Sequence, residues 1–334
     1  MAIEIAQSTP TAAAIGQWVQ ARYALGEVVA GELLRRSFNQ VYRLTLADGR
    51  HVVARLCAER PRGEPKLPFE AEVLRHLRVQ GCPVATCLPT ATGGVAVRVP
   101  LPEGERPLML FEYLDGEATA EVPANVLAFG RGLAQLHVAG EGLQSNASHY
   151  TLDLDYLLMH PLQRLLRAPT MTADLRPAFE ALGQRLLKRI HALGPLTQVL
   201  CHGDAHSDNN FIAVRDNGER EAVFFDFDEC GPGYLAYELA VYPWWLHPRA
   251  VDGAWSDKAA ERWRHFIAAY RSVRALTEAD EAALPLFVAV RQFWLLGEYA
   301  GRVPVWGSQA MSTGYLQRQV KLLGQWEGLE LPMA

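Results

Sequence analysis

His202, Asp204, Asn209 and Asp226 are the residues of this 334-residue chain whose types and spacing could do chemistry together. They belong to a polar string, His202-Gly203-Asp204-Ala205-His206-Ser207-Asp208-Asn209, bracketed by apolar, strand-like residues within Val199 to Val214. A rigid frame then displays a reactive loop, a common place for catalytic groups. Asn217-Gly218 turns the chain back into Ala222 to Phe225, which runs into Asp226, Asp228 and Glu229, so a hairpin returns Asp226 close to Asn209. Phosphoryl transfer explains these residue types. It needs a carboxylate beside the attacking hydroxyl and hard oxygen ligands for the magnesium ion that bridges the phosphates. Asp204 would be the base, and Asn209 and Asp226 the metal ligands. A second reading stays open: His202 and His206 with Asp204 and Asp208 carry imidazole and carboxylate at a spacing that can hold zinc, which would make a hydrolase. Against it, His160, His191, His247 and His265 lie singly on helical stretches, and His202 reads better as a packed residue that shapes the loop. Asp228 and Glu229 fit either solvated strand ends or, for Asp228, contact with metal or substrate.

The elements that must position these groups fall into two unlike parts. Ile15, Trp18, Val19 and Tyr23 recur at helical spacing. Glu27 to Leu34, Phe38 to Leu46 and Arg50 to Cys57 then read as strands, the last two joined at Asp48-Gly49. A helix follows over Leu67 to Gln80, then extended runs at Val95 to Val99 and Leu108 to Leu114, with Pro100 to Pro107 as a surface turn between them. Beyond Val122 helices dominate: Val126 to His137, Leu175 to Leu193, Ala259 to Tyr270, Glu281 to Tyr299 and Tyr315 to Trp326. The strand-like block from Thr197 to Phe227 interrupts them and carries the reactive loop. The pattern predicts an α+β chain: a sheet-plus-helix lobe over residues 1–111, a hinge at 112–118 and a helical lobe over 119–334 holding the loop. The aromatic group Tyr242, Trp244, Trp245, Trp263, Trp294, Trp306 and Trp326 suits a helical core better than a pocket wall.

Composition removes several function classes. With 49% hydrophobic and 21% charged residues the chain can bury a large interior, unlike a disordered one. A net charge of −5 gives no whole-protein field for nucleic acid or an anionic membrane, so any phosphate site must be local. Lysine stands only at Lys66, Lys188, Lys258 and Lys321, and arginine carries almost all the positive charge. Five cysteines without a Cys-x-x-Cys pair fit free thiols in a reducing compartment. No membrane-length apolar run is read, which predicts a soluble cytoplasmic protein. On the helix around Phe69 to Gln80, Glu70 shares a face with Val73, Leu74 and Leu77, so it points inward and needs a cation.

The string His202-Gly203-Asp204-x4-Asn209, followed by an apolar run into Asp226, resembles the aminoglycoside phosphotransferase and choline kinase family of protein-kinase-like enzymes. The likeness runs in order over about residues 25 to 245. It implies a bilobal protein-kinase-like fold that uses ATP and Mg2+ to move the γ-phosphate to a hydroxyl. Asp204 would be the catalytic base, Asn209 and Asp226 the metal ligands, and Glu238 an acid supporting the catalytic loop. Arg55 would pair with Glu70 and hold the phosphates, where the family carries a lysine; arginine's planar fork is not equivalent to lysine's point charge. Ser37 lies in a loop resembling the family's Ser/Asn nucleotide cover. Glu112 and Tyr113 lie in a stretch resembling the inter-lobe hinge that bonds adenine. Within the family the hinge and the Trp-rich tail look most like the Ser/Thr-directed bacterial stress response kinases, and more loosely like type II homoserine kinases. The acceptor is therefore expected to be a small-molecule or Ser/Thr hydroxyl, with no nucleic acid or membrane partner. Arg55 in place of lysine and a cover loop without glycines also admit a non-catalytic nucleotide-binding regulator of the same fold.

Overall fold

Alternation of apolar side chains builds the sheet that covers the site. The computed structural model describes residues 3–60, 63–119, 122–247 and 255–333. α1 (Ala12–Gln20) is capped by Thr11, whose hydroxyl accepts from the Ala14 amide, and it buries Ile15 and Val19. β1 (Val28–Arg36), β2 (Gln40–Leu46) and β3 (His51–Leu56) follow as an antiparallel meander. Along β2 every second residue is buried, which puts Tyr42, Leu44 and Leu46 against α1 and leaves Val41 on the opposite face. α2 (Leu67–Val79) begins with Pro68 in its first turn and buries Phe69, Glu70, Val73, Leu74 and Leu77.

The sheet is completed by β4 (Cys87–Leu88), β5 (Val97–Leu101) and β6 (Gly104–Glu112), in the order β1-β2-β3-β6-β4 with β5 also on β6. The surface turn expected at Pro100 to Pro107 is instead a β5–β6 hairpin. Pro100 lies in β5 and Pro107 in β6, whose carbonyl accepts from the Cys57 amide. Pro100 is tolerated because β5 is an outer strand that needs few donors.

A short strand β7 (Glu117–Ala118) leads into α3 (Pro123–Gly140). A π turn (Asp155–Met159) runs into α4 (His160–Leu166), followed by α5 (Arg176–Ala192). The reactive block forms β8 (Gln198–Cys201), a 3-10 turn (Ser207–Asn209), β9 (Asn210–Val214) and β10 (Arg220–Phe224). β11 (Gly231–Tyr234) and the helices α6 (Leu235–Leu246), α7 (Asp257–Arg271), α8 (Glu278–Trp306) and α9 (Thr313–Trp326) complete the described chain. α6 was hidden in the sequence. Nearly all of it is buried, so it shows no amphipathic period, and Pro243 interrupts it. α8 runs further than expected, through Pro304. Ala300 and Val303 are buried in these added turns, a packing gain that works against the roughly 3 kcal/mol an interior proline costs.

The buried residues form two clusters. One joins α1 to the upper face of the sheet, through Val19, Tyr42, Leu44 and Leu110. The other begins at α2 and extends through the helices. The architecture is α+β and protein-kinase-like, a small antiparallel sheet over a mainly helical body. Among the described residues no helix is long and apolar enough to cross a membrane, and all five cysteines are free thiols.

Candidate active site

The β9–β10 hairpin turns at Asn217-Gly218, with Gly218 at φ 81°, and pairs Phe224 with Asn210. The Phe225 amide then donates to the Asn209 carbonyl at 3.2 Å. Asp226 follows with φ 65°, and among the described residues it is alone among non-glycines in the left-handed region. That conformation costs of order 1–3 kcal/mol and gathers at functional sites. It turns the carboxylate off the strand toward Asn209 and Arg55.

The loop before it is held just as closely. β8 pairs with β11, Cys201 opposite Gly231, which lays the loop against Glu229. Gly203, at φ 88°, passes so near the Glu229 carbonyl that any side chain would collide with it. His202 is fully buried. One ring nitrogen contacts the Phe225 carbonyl at 2.9 Å, and the other accepts from the Asp204 amide at 3.3 Å. Burial lowers its pKa to about 4, so it is a neutral spacer with both nitrogens engaged. This removes the zinc reading's central ligand. Among the described residues no three His, Cys, Asp or Glu side chains are gathered as a metal site.

Glu238, on α6, takes the Gly203 amide at 2.9 Å on Oε2, while Oε1 is buried without a partner. Burial raises its pKa to about 7. A carboxyl raised from about 4.3 favours the folded state below that value, and the benefit is lost as pH rises through 7. Wild-type stability should therefore fall by about 2–4 kcal/mol between pH 4.5 and 8 from this group. Glu238→Gln should flatten that part of the profile, measured as Tm against pH. An unchanged slope in the variant would show that another group carries it.

Asp204 is 23% exposed, and its carboxylate opens into a cavity. Burial alone would raise its pKa, but the Arg291 guanidinium, then His206 at 3.6 Å, hold it well below the usual carboxylate range. It stays ionised at neutral pH. Arg291, from the middle of α8, reaches Asp204 Oδ1 with Nη2 and donates from Nη1 to the Tyr237 hydroxyl at 3.0 Å. Its guanidinium lies 4.2 Å from the Trp294 ring centre and 4.9 Å from that of Trp244. Sequence reading missed it. The available signal was a lone arginine inside the apolar run Val288 to Leu296.

On the sheet side, Arg55 is buried between two carboxylates, Glu70 at 2.5 Å and Asp226 at 3.1 Å, with the Phe111 ring 4.8 Å away. The inward acid and its arginine thus meet as expected. Arg60, also unforeseen, pairs with Glu229 at 2.5 Å and with Asp228. Asn39 donates to Asp228 at 2.7 Å, so Asp228 is a bridge to the sheet lobe rather than a solvated end. Ser37 lines the cavity that holds Asp204, and its amide donates to the Asn39 carbonyl. The Glu112 carboxylate is taken by Arg78 and the Thr86 amide, and Tyr113 stacks edge-on with His51.

Two cavities of about 250 Å3 each open here. The first is apolar, walled by Leu34, Val41, Val53, Ala85 and Phe225, with Glu112 and Tyr113 at one end and Arg55, Asn209 and Asp226 at the other. The second holds Asp204, Arg291, Arg60 and the rings of Phe38, Trp244, Trp294 and Tyr299. The aromatic residues expected in the core therefore divide. Trp263 and Trp326 are core only, Trp244 and Trp294 are buried in the same core and also line this wall, and the half-buried Trp245 lines it from the edge. Asn209 and Asp226 border both cavities. They fit a divalent cation. The Asn209 amide nitrogen is spent on the Asp204 carbonyl, leaving Oδ1, and Arg55 takes only Oδ1 of Asp226.

An uncharacterised protein of Deinococcus radiodurans is 36% identical over 296 residues, 88% of this chain and 84% of its own length. A homoserine kinase of Caulobacter vibrioides is 27% identical, covering 81% of this chain and 80% of itself. Among solved structures, an amicoumacin kinase in complex with AMP-PNP, Ca2+ and its ligand superposes with a TM-score of 0.74 at 19% identity, over 96% of this chain and 94% of that one. Residues 33–276 match the model of the phosphotransferase enzyme family, a span that contains all of the sheet but the first residues of β1, together with the loop and the hairpin. With that span and the 36% relative together, the chain belongs to the phosphotransferase enzyme family.

Proposed function

We propose that this kinase uses ATP and Mg2+ to phosphorylate the hydroxyl of a small molecule. The observation that carries the reading is the meeting of two cavities at Asn209 and Asp226, with an ionised Asp204 facing the second. In this reading residues 1–111 hold the nucleotide, 112–118 are the hinge and 119–334 carry the acceptor pocket. Adenine enters the apolar cavity against Glu112 and Tyr113, under the loop that contains Ser37. Arg55, fixed by Glu70, bonds phosphate oxygens. Asn209 Oδ1 and the Asp226 carboxylate hold the metal, which when bound neutralises charge on the transferring phosphoryl group. Arg291 occupies Asp204 Oδ1 and leaves Oδ2 to take the acceptor's proton.

A cavity of about 250 Å3 walled by rings favours a small acceptor over a protein side chain or an aminoglycoside. Asp204, Asp228 and Glu229 are committed to Arg291 and Arg60, so they are not available to a polycation. Incubation with labelled ATP and alcohols, amino alcohols, homoserine, aminoglycosides or protein, followed by separation of protein from small molecules, tests this. Label should pass to a small hydroxyl compound. Efficient labelling of an aminoglycoside alone, or of protein alone, would refute the small-acceptor reading.

A further inference from the structure

Resting on that reading, we propose that Arg35 is a second phosphate-binding cation of the site, one that holds the γ-phosphoryl group as it passes from nucleotide to acceptor. Three observations lead there. The first is charge. Arg55 is the buried cation at the phosphate end of the nucleotide cavity, yet its guanidinium already faces Glu70 and Asp226. It therefore brings no net positive charge to a polyphosphate. Arg60 and Arg291, which line the acceptor cavity, are likewise paired with Asp228, Glu229 and Asp204. Among the described arginines lining the two cavities, Arg35 is the one without a carboxylate partner.

The second observation is position. Arg35 borders both cavities, a property it shares with Val41, Asp208, Asn209 and Asp226, and among these it is the one cation. A group that reaches both is placed where a phosphoryl group would cross.

The third is the backbone that aims it. Leu33 pairs with Tyr42, but Arg35 pairs with Val41, so β1 carries a bulge between them. In a regular ladder Leu34 would stand opposite Val41 and face the cleft, and Arg35 would fall opposite Gln40 and face away. The extra residue puts both Leu34 and Arg35 on the cleft side, and both line the nucleotide cavity. Bulges beside active sites re-aim side chains in this way. The cover loop has no glycine between Gly31 and Gly49 with which to wrap phosphates in backbone amides, and the Ser37 amide is spent on Asn39. A guanidinium fork supplies the missing donors and matches phosphate oxygens.

The test compares Mg2+-AMP-PNP with Mg2+-ADP binding by calorimetry for wild type, Arg35→Ala, Arg35→Lys and the neighbouring Arg36→Ala, with Tm as a folding check. Arg35→Ala should weaken AMP-PNP about tenfold while ADP changes less than about twofold, and phosphoryl transfer should fall by about 10^2. Arg35→Lys should recover part of both, and Arg36→Ala neither. If wild type binds the nucleotides and Arg35→Ala keeps the wild-type ratio of the two affinities, Arg35 is a solvated strand arginine and the inference fails alone. If wild type binds neither nucleotide, the inference falls with the functional reading beneath it.

Discussion

Asp204→Asn should cut phosphoryl transfer by roughly 10^3, with nucleotide affinity changed less than about threefold, because a base acts on the hydroxyl proton in the transition state and touches no part of the bound nucleotide. Asparagine is the informative replacement. It keeps the volume and can still accept from Arg291, whereas alanine would leave a buried guanidinium facing an empty place. Two measurements separate the roles. Transfer of label to the acceptor reads the base, and calorimetric binding of Mg2+-AMP-PNP reads the metal and phosphate ligands. Asp226→Asn should instead lower both, since it removes a ligand charge at the metal and a partner of Arg55. Wild-type transfer rates in Asp204→Asn would end the assignment of the base, since catalysis would then have to reside elsewhere.

The site was legible in the sequence to the extent that it is local. Asp204 and Asn209 sit on one turn, and Asn217-Gly218 dictates the hairpin that returns Asp226, so spacing alone brings the three together. Glu70 was legible for another reason: an acid on an apolar helical face must find a cation, and β3 offered Arg55. What stayed hidden comes from far along the chain. Arg291 reaches Asp204 from 87 residues away, and Arg60 reaches Asp228 across 168. No periodicity encodes such pairings; a lone arginine in an apolar run signals only that a partner exists. The same limit applies to the fold. β2 alternates cleanly because one face is buried, and β1, β2 and β3 were found within a few residues. α6 is buried on all sides and has no pattern to find. That Trp244 and Trp294 also wall the cavity holding Asp204 likewise needed the packing of α6 on α8, which no local pattern records.

Arg55→Ala should abolish nucleotide binding and destabilise the fold by about 3–5 kcal/mol, the usual cost of removing one partner from a buried ion pair. The two effects have different origins, and a second substitution separates them. Burial raises the Glu70 carboxyl, and Arg55 is what opposes that rise. Without Arg55 the acid is left either charged and unpaired or protonated at the expense of binding a proton on folding. Arg55→Ala with Glu70→Gln removes the stranded charge, so Tm should recover much of its loss while nucleotide binding stays absent. Arg55→Lys asks the complementary question. Lysine restores a charge that Glu70 can hold, but as a point with three rotatable donors rather than a planar fork spanning Glu70 and Asp226. Nucleotide affinity should then equal or exceed that of wild type, since freeing Asp226 from the fork leaves its carboxylate wholly to the metal. If Arg55→Ala with Glu70→Gln binds nucleotide as wild type does, Arg55 serves the fold alone and the phosphates are held by other groups.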